Sequence, residues 1–146
     1  MVPETSGFVE EEEYILEEPS SRTYFIDFDR KCINLNKYES GQGDEENFID
    51  SVKAMEQAIF CILNTERYEY LIYSWDYGVE MQEIIGIDED ILLSEIERRI
   101  TEALLSDSRV VSVYNFDFEK NKKEVLCNFS VSTIYGDLEI EQEVEI

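Results

Sequence analysis

The sequence predicts an α+β fold with an N-terminal hairpin, two main helices and a C-terminal antiparallel sheet. Apolar residues recur at three- and four-residue steps in 48–62 and again in 92–104, which is the spacing of a helix that buries one face. From residue 109 to the end they largely alternate with polar residues, which is typical of strands. A chain of 146 residues suffices for one domain with a hydrophobic core, and we assign 23–146 to it.

The first 22 residues form a separate, acidic zone. Residues 10–13 are four consecutive glutamates, and Glu17 and Glu18 follow. A stretch of this composition does not bury enough apolar surface to fold alone, so we expect a flexible acidic arm at 1–22. Phe8 and the apolar residues 14–16 leave open the alternative that the arm orders on a neighbouring molecule.

A hairpin is predicted directly after the arm. Tyr24, Ile26 and Phe28 alternate with their neighbours in a strand-like pattern, and Arg30 with Lys31 is placed at the turn. A polar loop with two glycines follows, and it separates the hairpin from the first helix.

Both main helices have recognisable starts. Asp44 is the predicted N-cap of the first helix, whose apolar stripe begins at Phe48 and which ends near Leu63. Asp88 is the predicted N-cap of the second helix, because two further acidic residues follow it where the helix dipole favours anions. The inner stripe of the second helix consists of Leu92, Ile96, Ile100, Ala103 and Leu104.

A stretch rich in aromatic residues, 64–80, separates the two helices. Its simplest interpretation is a strand and a turn, with Gly78 at a position that requires positive φ or a close backbone approach. Large rings with polar tips also suit a partner contact that stays wet at one edge. A short helix that ends at Gly86 is predicted over 80–85. The aromatic residues are Tyr68, Tyr70, Tyr73, Trp75 and Tyr77.

Three strands are predicted after the second helix. The first begins near Arg109 and carries apolar residues on both faces, so we expect it to be covered on both sides. Turns are predicted at 121–123 and at Gly136 with Asp137. The middle strand, 125–133, alternates apolar and polar residues.

The last strand has the most regular pattern in the chain. Leu138, Ile140, Val144 and Ile146 are interleaved with Glu139, Glu141, Glu143 and Glu145. A row of like charges disfavours pairing with a second copy of the same strand. The same row would attract a strand that carries Lys or Arg from another protein. Protection of an edge and docking of a partner therefore remain alternative roles for this strand.

The charge balance restricts the class of partner. Twelve basic against 35 acidic residues give a net charge of −23, which argues against direct binding to nucleic acid or anionic membranes and favours a basic partner surface. The absence of histidine removes most zinc sites and the common nucleophile–histidine triads. Cys32, Cys61 and Cys127 lie far apart and are interpreted as free thiols. We therefore expect no catalytic residue, no metal and no cofactor, and we recognise neither a membrane span nor a secretory signal.

Several segments together resemble a known family. The chain is similar to the baseplate wedge proteins of contractile phage tails in four consecutive segments. These are the first helix, the stretch NTERYEYLIYSWDYGVEMQEIIG that follows it, the second helix, and the stretch SDSRVVSVYNFDF after that. These wedge proteins are the sheath initiators, also called lysozyme-like wedge proteins, and the resemblance covers roughly 24–131. The branch from defective prophages and tail-like bacteriocins of Gram-positive bacteria is the more similar one. The most specific positions are Thr65, Arg67, Tyr70, Ile72, Tyr73, Tyr77, Gly78, Asp107 and Arg109.

One motif of the wider family is altered in this chain. The family carries a Gly-Glu-Arg triplet after the threonine. Glu69 stands at the position of its Glu, Tyr68 and Tyr70 replace the neighbours, and Arg67 supplies a cation from a shifted position.

The resemblance implies a structural protein without enzymatic activity. Such proteins sit in a six-fold ring around the tail tube and accept extended arms of the first sheath disc by strand addition. The implied partners are the tail sheath protein, other baseplate wedge proteins and tail tube or hub proteins, without direct contact to nucleic acid or membrane. The implied location is the baseplate of a virion or tail-like particle, assembled in the bacterial cytoplasm.

Two partner-binding surfaces follow from these patterns and from the resemblance. Residues 140–146 are the predicted docking strand, whose glutamates attract basic residues of the sheath. The aromatic stretch is the predicted contact with other wedge proteins. The full set of predicted partner-binding residues is Arg67, Glu69, Tyr73, Trp75, Tyr77, Gly78, Arg109, Ile140, Glu141, Glu143, Val144 and Glu145.

Two other functions are considered. A cell-wall muramidase-like hydrolase needs two carboxylates about 5–10 Å apart across a cleft. Glu66, Glu69 and Asp76 beside the aromatic residues are the candidates for that pair. An acidic decoy that mimics nucleic acid needs carboxylates spread over one face at the spacing of phosphates.

Overall fold

The structure is a computed structural model that describes residues 21–29, 32–33 and 48–146. Its two α-helices and three-stranded antiparallel sheet confirm the predicted α+β fold. Most of the expected acidic arm, 1–20, lies outside these residues, as do Arg30, Lys31 and Asp44. Neither helix in the described part of the chain has the length and apolar character needed to cross a membrane.

In chain order the elements are β1 (Thr23–Tyr24), β2 (Ile26–Asp27), β3 (Cys32–Ile33), β4 (Phe48–Ile49), α1 (Ser51–Leu63), a 3₁₀ helix (Gln82–Ile84), α2 (Glu89–Leu105), β5 (Val110–Lys120), β6 (Glu124–Thr133) and β7 (Gly136–Glu145).

The core lies between the two helices and one face of the sheet β5-β6-β7. α1 contributes Met55, Ile59 and Ile62 to it, at the helical spacing that the sequence predicts. β6 is the central strand, and every second residue from Val125 to Thr133 is buried. The predicted inner stripe of α2 is confirmed, since Leu92, Ile96, Ile100, Ala103 and Leu104 are all buried.

The N-terminal strands pack on the side of α1 that faces away from this core. β2 pairs antiparallel with β3, which confirms the predicted hairpin. Gln57 of α1 holds the segment in place because its amide bonds the backbone twice. Its Oε1 accepts from the Ile26 N–H at 2.9 Å, and its Nε2 donates to the Tyr24 carbonyl at 3.0 Å.

The first helix begins later than the apolar stripe predicts. Phe48 lies in β4, which pairs with β1, so its assignment to the helical stripe is wrong. Asp50 is the N-cap, and its carboxylate accepts the Ser51 N–H at 2.7 Å. Ser21, from the expected arm, is buried here, donates to the Asp50 carboxylate and accepts from the Ser51 N–H. Strand pairing between distant segments thus overrides the helical period at Phe48, because that pairing is not visible locally.

β5 is covered on one side, so the expectation that it is covered on both is wrong. Two register shifts interrupt its pairing with β6, and the second contains Asn115 with φ of +56°. Such bulges insert extra residues and reset the alternation of side chains. Val111 is therefore 61% exposed and Tyr114 is 38% exposed. The core side carries Val110, Val113, Phe116 and Phe118.

β6 and β7 pair over ten residues without a shift. The turn between them is Ile134 with Tyr135, so the predicted turn at Gly136 and Asp137 is two residues late. Thr133 closes the turn, because its hydroxyl donates to the Gly136 carbonyl at 2.7 Å and accepts the Tyr135 N–H at 3.2 Å.

β7 follows the predicted alternation. Leu138 and Ile140 are half-buried and Val144 is buried, while the four intervening glutamates are exposed. Among the described residues β7 pairs with β6 alone, so β7 is an edge strand.

Two isoleucines of α2, one buried and one exposed, provide a direct test of this core. Ile100 is 0% exposed and Ile91 is 51% exposed on the same helix. We expect Ile100→Ala to lower the free energy of unfolding by about 2–5 kcal/mol, because it removes buried methylene groups and leaves a cavity. Ile91→Ala should change it by no more than about 0.5 kcal/mol. Urea unfolding followed by circular dichroism measures both, and equal losses would show that α2 is packed differently.

Candidate partner-binding site

The outer edge of β7 is the first candidate surface. The Ile146 N–H donates to the Lys123 carbonyl at 2.9 Å, on the β6 side. Backbone groups of successive strand residues point in opposite directions, so the N–H groups of Glu141, Glu143 and Glu145 point away from β6. No other described strand pairs with this side. The edge therefore presents a row of backbone donors and acceptors.

A cleft of about 230 Å³ lies beside the C-terminal half of this edge. Leu63 at the end of α1, together with Met81 and Ile85 around the 3₁₀ helix, forms its apolar wall. Glu143 and Val144 of β7 line the other side. A strand laid along β7 would have alternate side chains directed into this cleft. The sequence prediction missed Met81 and Ile85, because only the fold brings them beside β7.

The solvent face of the sheet is strongly acidic. Among the described residues no ion pair neutralises its carboxylates, and Lys120 of β5 instead pairs with Glu89 of α2 at 2.9 Å. The neighbouring Glu124 carboxyl group hydrogen-bonds Glu143 and raises the pKa of Glu143, because two like charges lie close together. This face is therefore suited to a basic partner. Its carboxylates are Asp117, Glu119, Glu124, Asp137, Glu139, Glu141, Glu143 and Glu145.

The aromatic stretch is a closed loop, so its interpretation as a strand and a turn is wrong. The Arg67 N–H donates to the Val79 carbonyl at 3.0 Å, and the Val79 N–H donates to the Thr65 carbonyl at 2.9 Å. These bonds form one isolated parallel bridge at the base of the loop. Gly78 has φ of +97°, and a Cβ there would lie 2.6 Å from the Thr65 carbonyl oxygen. The predicted need for glycine is confirmed on both counts.

Arg67 ties the base of the loop to α2. Its side chain is 8% exposed, and its Nε donates to the Gly78 carbonyl at 3.2 Å. Its Nη1 lies 3.3 Å from a Glu80 carboxylate oxygen and 2.9 Å from one of Glu102. A buried guanidinium must be paired in this way, since leaving it unpaired is costly. In the isolated chain Arg67 is thus occupied by internal contacts and is not an exposed cation.

The 3₁₀ helix is joined to the same network. The Arg99 guanidinium donates to the Glu80 carbonyl at 2.6 Å and also pairs with Glu83 at 3.4 Å. The Glu66 carboxylate accepts from the backbone N–H groups of Met81 and Gln82, at 3.1 and 3.2 Å. The short helix predicted over 80–85 is therefore a single 3₁₀ turn, Gln82–Ile84, which a carboxylate fixes at its start.

The loop tip exposes large apolar side chains. Trp75 is 79% exposed, and the Tyr73 ring stacks on Tyr77 with ring centroids 4.5 Å apart. Tyr77 is half-buried against the core, whereas Tyr73 and Trp75 are exposed. Leu71 and Ile72 are 102% and 86% exposed and were missing from the predicted site. The sequence feature that could have indicated them is an aliphatic pair between two tyrosines, in a stretch that has neither a helical nor a strand period.

Arg109 and Asp107 fix the turn between α2 and β5. The Arg109 guanidinium donates to both carboxylate oxygens of Asp107, at 2.9 and 2.6 Å. These bonds hold the pKa of Asp107 below its usual value. The Arg109 carbonyl also accepts the Ile134 N–H at 3.0 Å. This bond joins the residue before β5 to the residue after β6. Arg109 thus has a clear structural role in the folded chain.

Of the predicted site residues, Glu143, Val144 and Glu145 line the cleft beside β7, whereas those in the aromatic loop and Arg109 do not. Glu66 and Met81 at the loop base line this cleft together with Glu143 and Glu145. Glu69 is exposed on the loop. Within residues 21–29, 32–33 and 48–146, no three side chains of the His, Cys, Asp or Glu type are grouped so as to hold a metal ion.

Two glycines test the close contact at the loop base. Gly78 and Gly86 both have positive φ, +97° and +90°, but a Cβ at Gly86 would meet nothing within 4 Å. Gly86→Ala should cost only the strain of positive φ, about 1–2 kcal/mol. Gly78→Ala adds a backbone clash and should cost about 2–5 kcal/mol in total. Equal losses in thermal or urea unfolding would contradict the described loop closure.

Tyr77 predicts a stability loss at alkaline pH. Burial, with further contributions from the nearby Cys61, Tyr73 and Asp107, raises the pKa of Tyr77 to about 12. Because the folded pKa exceeds the unfolded value of about 10, the stabilising contribution is complete below pH ~10 and is lost towards pH ~12. Tyr77→Phe should therefore lose less stability than the wild type over this interval. A Tyr77→Phe curve parallel to the wild type in urea unfolding would contradict the assignment.

Comparison with known proteins identifies the family. Residues 22–136 match the family described as contractile injection system sheath initiator, a range that runs from the N-terminal strands to the first residue of β7. The chain is also 35% identical over 139 residues to the phage-like element PBSX protein XkdS of Bacillus subtilis strain 168. That alignment covers 93% of this chain and 89% of the relative. The resemblance seen in the sequence is thereby confirmed: the chain belongs to the family of contractile injection system sheath initiators.

Proposed function

We propose that this chain is a structural wedge component of a contractile-tail baseplate that initiates the sheath by accepting a sheath strand at the β7 edge. Its family supports the sheath-initiator role, and the edge of β7, with which no other strand of the described residues pairs, is the observation that supports the mode of attachment. In this proposal the chain takes part in a six-fold ring around the tail tube, in a phage or tail-like bacteriocin particle. The particle is assembled in the bacterial cytoplasm.

Strand addition explains how one short segment can hold a sheath subunit. An added strand satisfies several outward backbone groups of β7 at once, and each bond contributes about 0.5–1.5 kcal/mol net. The edge is also prepared in advance, because β7 is held over ten residue pairs by β6. The entropy lost on docking therefore falls mainly on the incoming strand.

The surroundings of the edge define the chemistry of that strand. Glu141, Glu143 and Glu145 lie on the solvent face, so residues of the added strand beside them should be Lys or Arg. Its intervening residues would face the cleft formed by Leu63, Met81 and Ile85, and should be apolar. A sheath segment that alternates basic and apolar residues fits both requirements.

The aromatic loop is the second contact in the proposal. Leu71, Ile72 and Trp75 project beyond a base that Arg67 and Gly78 hold closed. A rigid base with an apolar tip can insert into a groove of another wedge protein at low cost in conformational entropy. Tyr73 and Tyr77 brace the tip from below through their stacked rings. Tail tube or hub proteins are further neighbours in this assembly.

A non-enzymatic role is part of the proposal. Glu66, a candidate acid for a muramidase, uses both carboxylate oxygens to bind the N–H groups of Met81 and Gln82. These bonds fix the carboxylate of Glu66 against the start of the 3₁₀ helix. The family of sheath initiators gives independent support to a structural role.

Substitutions at Glu141 separate the backbone contribution from the charge contribution. Glu141→Pro removes one outward N–H but leaves the bonds to β6 intact, and proline is tolerated on the free side of edge strands. We expect it to reduce seeding of sheath assembly at least about tenfold, because an N–H bond is lost and the ring obstructs the added strand. The assay mixes the purified chain with the sheath protein of the same particle and counts sheath discs by electron microscopy.

Glu141→Gln is the matched control, because it keeps the N–H and removes only the charge. Its effect should be smaller and should fade as salt is raised, since exposed charges are screened. Circular dichroism verifies that both variants are folded. Seeding that is equal in Glu141→Pro and Glu141→Gln would contradict strand addition at β7.

A further inference from the structure

A further open surface, distinct from the β7 edge and the aromatic loop, lies on the side of α1 opposite to the core. A groove of about 460 Å³ runs between α1 and the segment that contains β2. Its floor is aromatic, because Phe25, Phe28 and Phe60 line it and each remains about two-fifths exposed, at 41%, 39% and 42%. The rings of Phe28 and Phe60 pack together with centroids 4.2 Å apart. None of these residues belongs to the β7 edge or to the aromatic loop.

The groove has fixed walls. The α1 wall consists of Lys53, Glu56, Gln57 and Phe60, which recur at the spacing of one helical face. The other wall is tied to α1 by the two hydrogen bonds from Gln57 to Ile26 and Tyr24. An occupant would therefore meet a preformed surface, and binding would not require the groove to be built.

The rim of the groove is acidic. Asp27, Asp29 and Glu56 stand around the aromatic floor, and Lys53 is the one cation among the described lining residues. Asp29 and Glu56 form no ion pair with any described residue. An apolar floor with an acidic rim is complementary to an apolar side chain flanked by basic residues.

The undescribed parts of this chain do not supply a separate segment of that chemistry. Arg30 and Lys31 are basic, but they directly follow the groove residue Asp29 in the sequence. Residues 1–20 contain seven glutamates and no lysine or arginine. Residues 34–47 contain one lysine against four acidic residues. A second copy of the chain carries the same net charge of −23 and would be repelled. Charge therefore favours a different protein as the occupant.

We propose that the groove between α1 and the β2 segment binds a segment of another protein that carries one or two large apolar side chains flanked by Lys or Arg. The aromatic floor takes the apolar side chains, and the carboxylates of Asp29 and Glu56 bind the basic residues. This contact is separate from the β7 edge, so the chain would hold two basic segments at once.

The test uses the full ¹⁵N-labelled chain and an acetylated peptide with leucine and phenylalanine between two lysine pairs. A peptide with serines in place of the two apolar residues controls for charge alone. Amide shift changes should concentrate at residues 25–29 and 53–60, and the apolar peptide should bind more tightly than the serine peptide. Phe60→Ser should weaken the apolar peptide about tenfold, because it removes part of the floor. Leu105→Ser, at a similarly exposed residue of α2, should not weaken it.

Four results would overturn the proposal. Shift changes confined to the sheet, or equal affinity for both peptides, would show that only the acidic charge is recognised. Groove shifts in the free full chain that move on Phe8→Ser would show that its own N-terminal segment is the occupant. A concentration-dependent dimer, detected by sedimentation and abolished by Phe60→Ser, would show that a second copy of the chain is the occupant. Glu56→Lys keeps the floor intact, and weaker binding there supports the proposal even where Phe60→Ser proves unstable.

Discussion

The architecture depends on burying one face of the sheet β5-β6-β7 and leaving the other in water. α1 and α2 cover the inner face, where β6 buries every second residue. The outer face and the edge of β7 are then free to carry residues that make no contribution to the core. This division concentrates carboxylates on one surface, and self-repulsion at a net charge of −23 is the cost. A basic partner relieves that repulsion, so assembly and stability act in the same direction.

A second consequence concerns the arginines. Arg67, Arg99 and Arg109 each bind a carboxylate or a carbonyl group next to a turn or a loop base. Their shortest distances to a carboxylate oxygen lie between 2.6 and 3.4 Å. They connect the aromatic loop and the 3₁₀ helix to α2, and α2 to β5. The partly buried cations of an acidic protein are therefore used internally. The outer face of β7 and the tip of the aromatic loop are left with carboxylates and large apolar or aromatic side chains, which determines what kind of partner they suit.

Much of the fold followed from periodicity, and the errors occurred where distant segments meet. The stripe of α2 and the alternation of β6 and β7 were predictable, because each repeats over many residues and faces a single core. Phe48 was misassigned because its pairing with β1 has no local signal. The two-sided cover of β5 was misjudged because bulges such as the one at Asn115 shift the alternation. The strand predicted within 64–80 is a loop, since Gly78 and Arg67 close it through backbone contacts that spacing alone does not reveal. The exposed glutamates of β7 were predictable, whereas the cleft residues Met81 and Ile85 required the fold.

Hydrogen–deuterium exchange at β7 measures the central claim most directly. The amides of Glu141, Glu143 and Glu145 should exchange rapidly in the isolated chain, while those of Ile140 and Gln142, which bond to β6, should be protected. After assembly with the sheath protein the three outward amides should become protected as well. Outward amides that stay unprotected in the assembled particle, or that are already protected in the isolated chain, would contradict docking of a sheath strand at this edge.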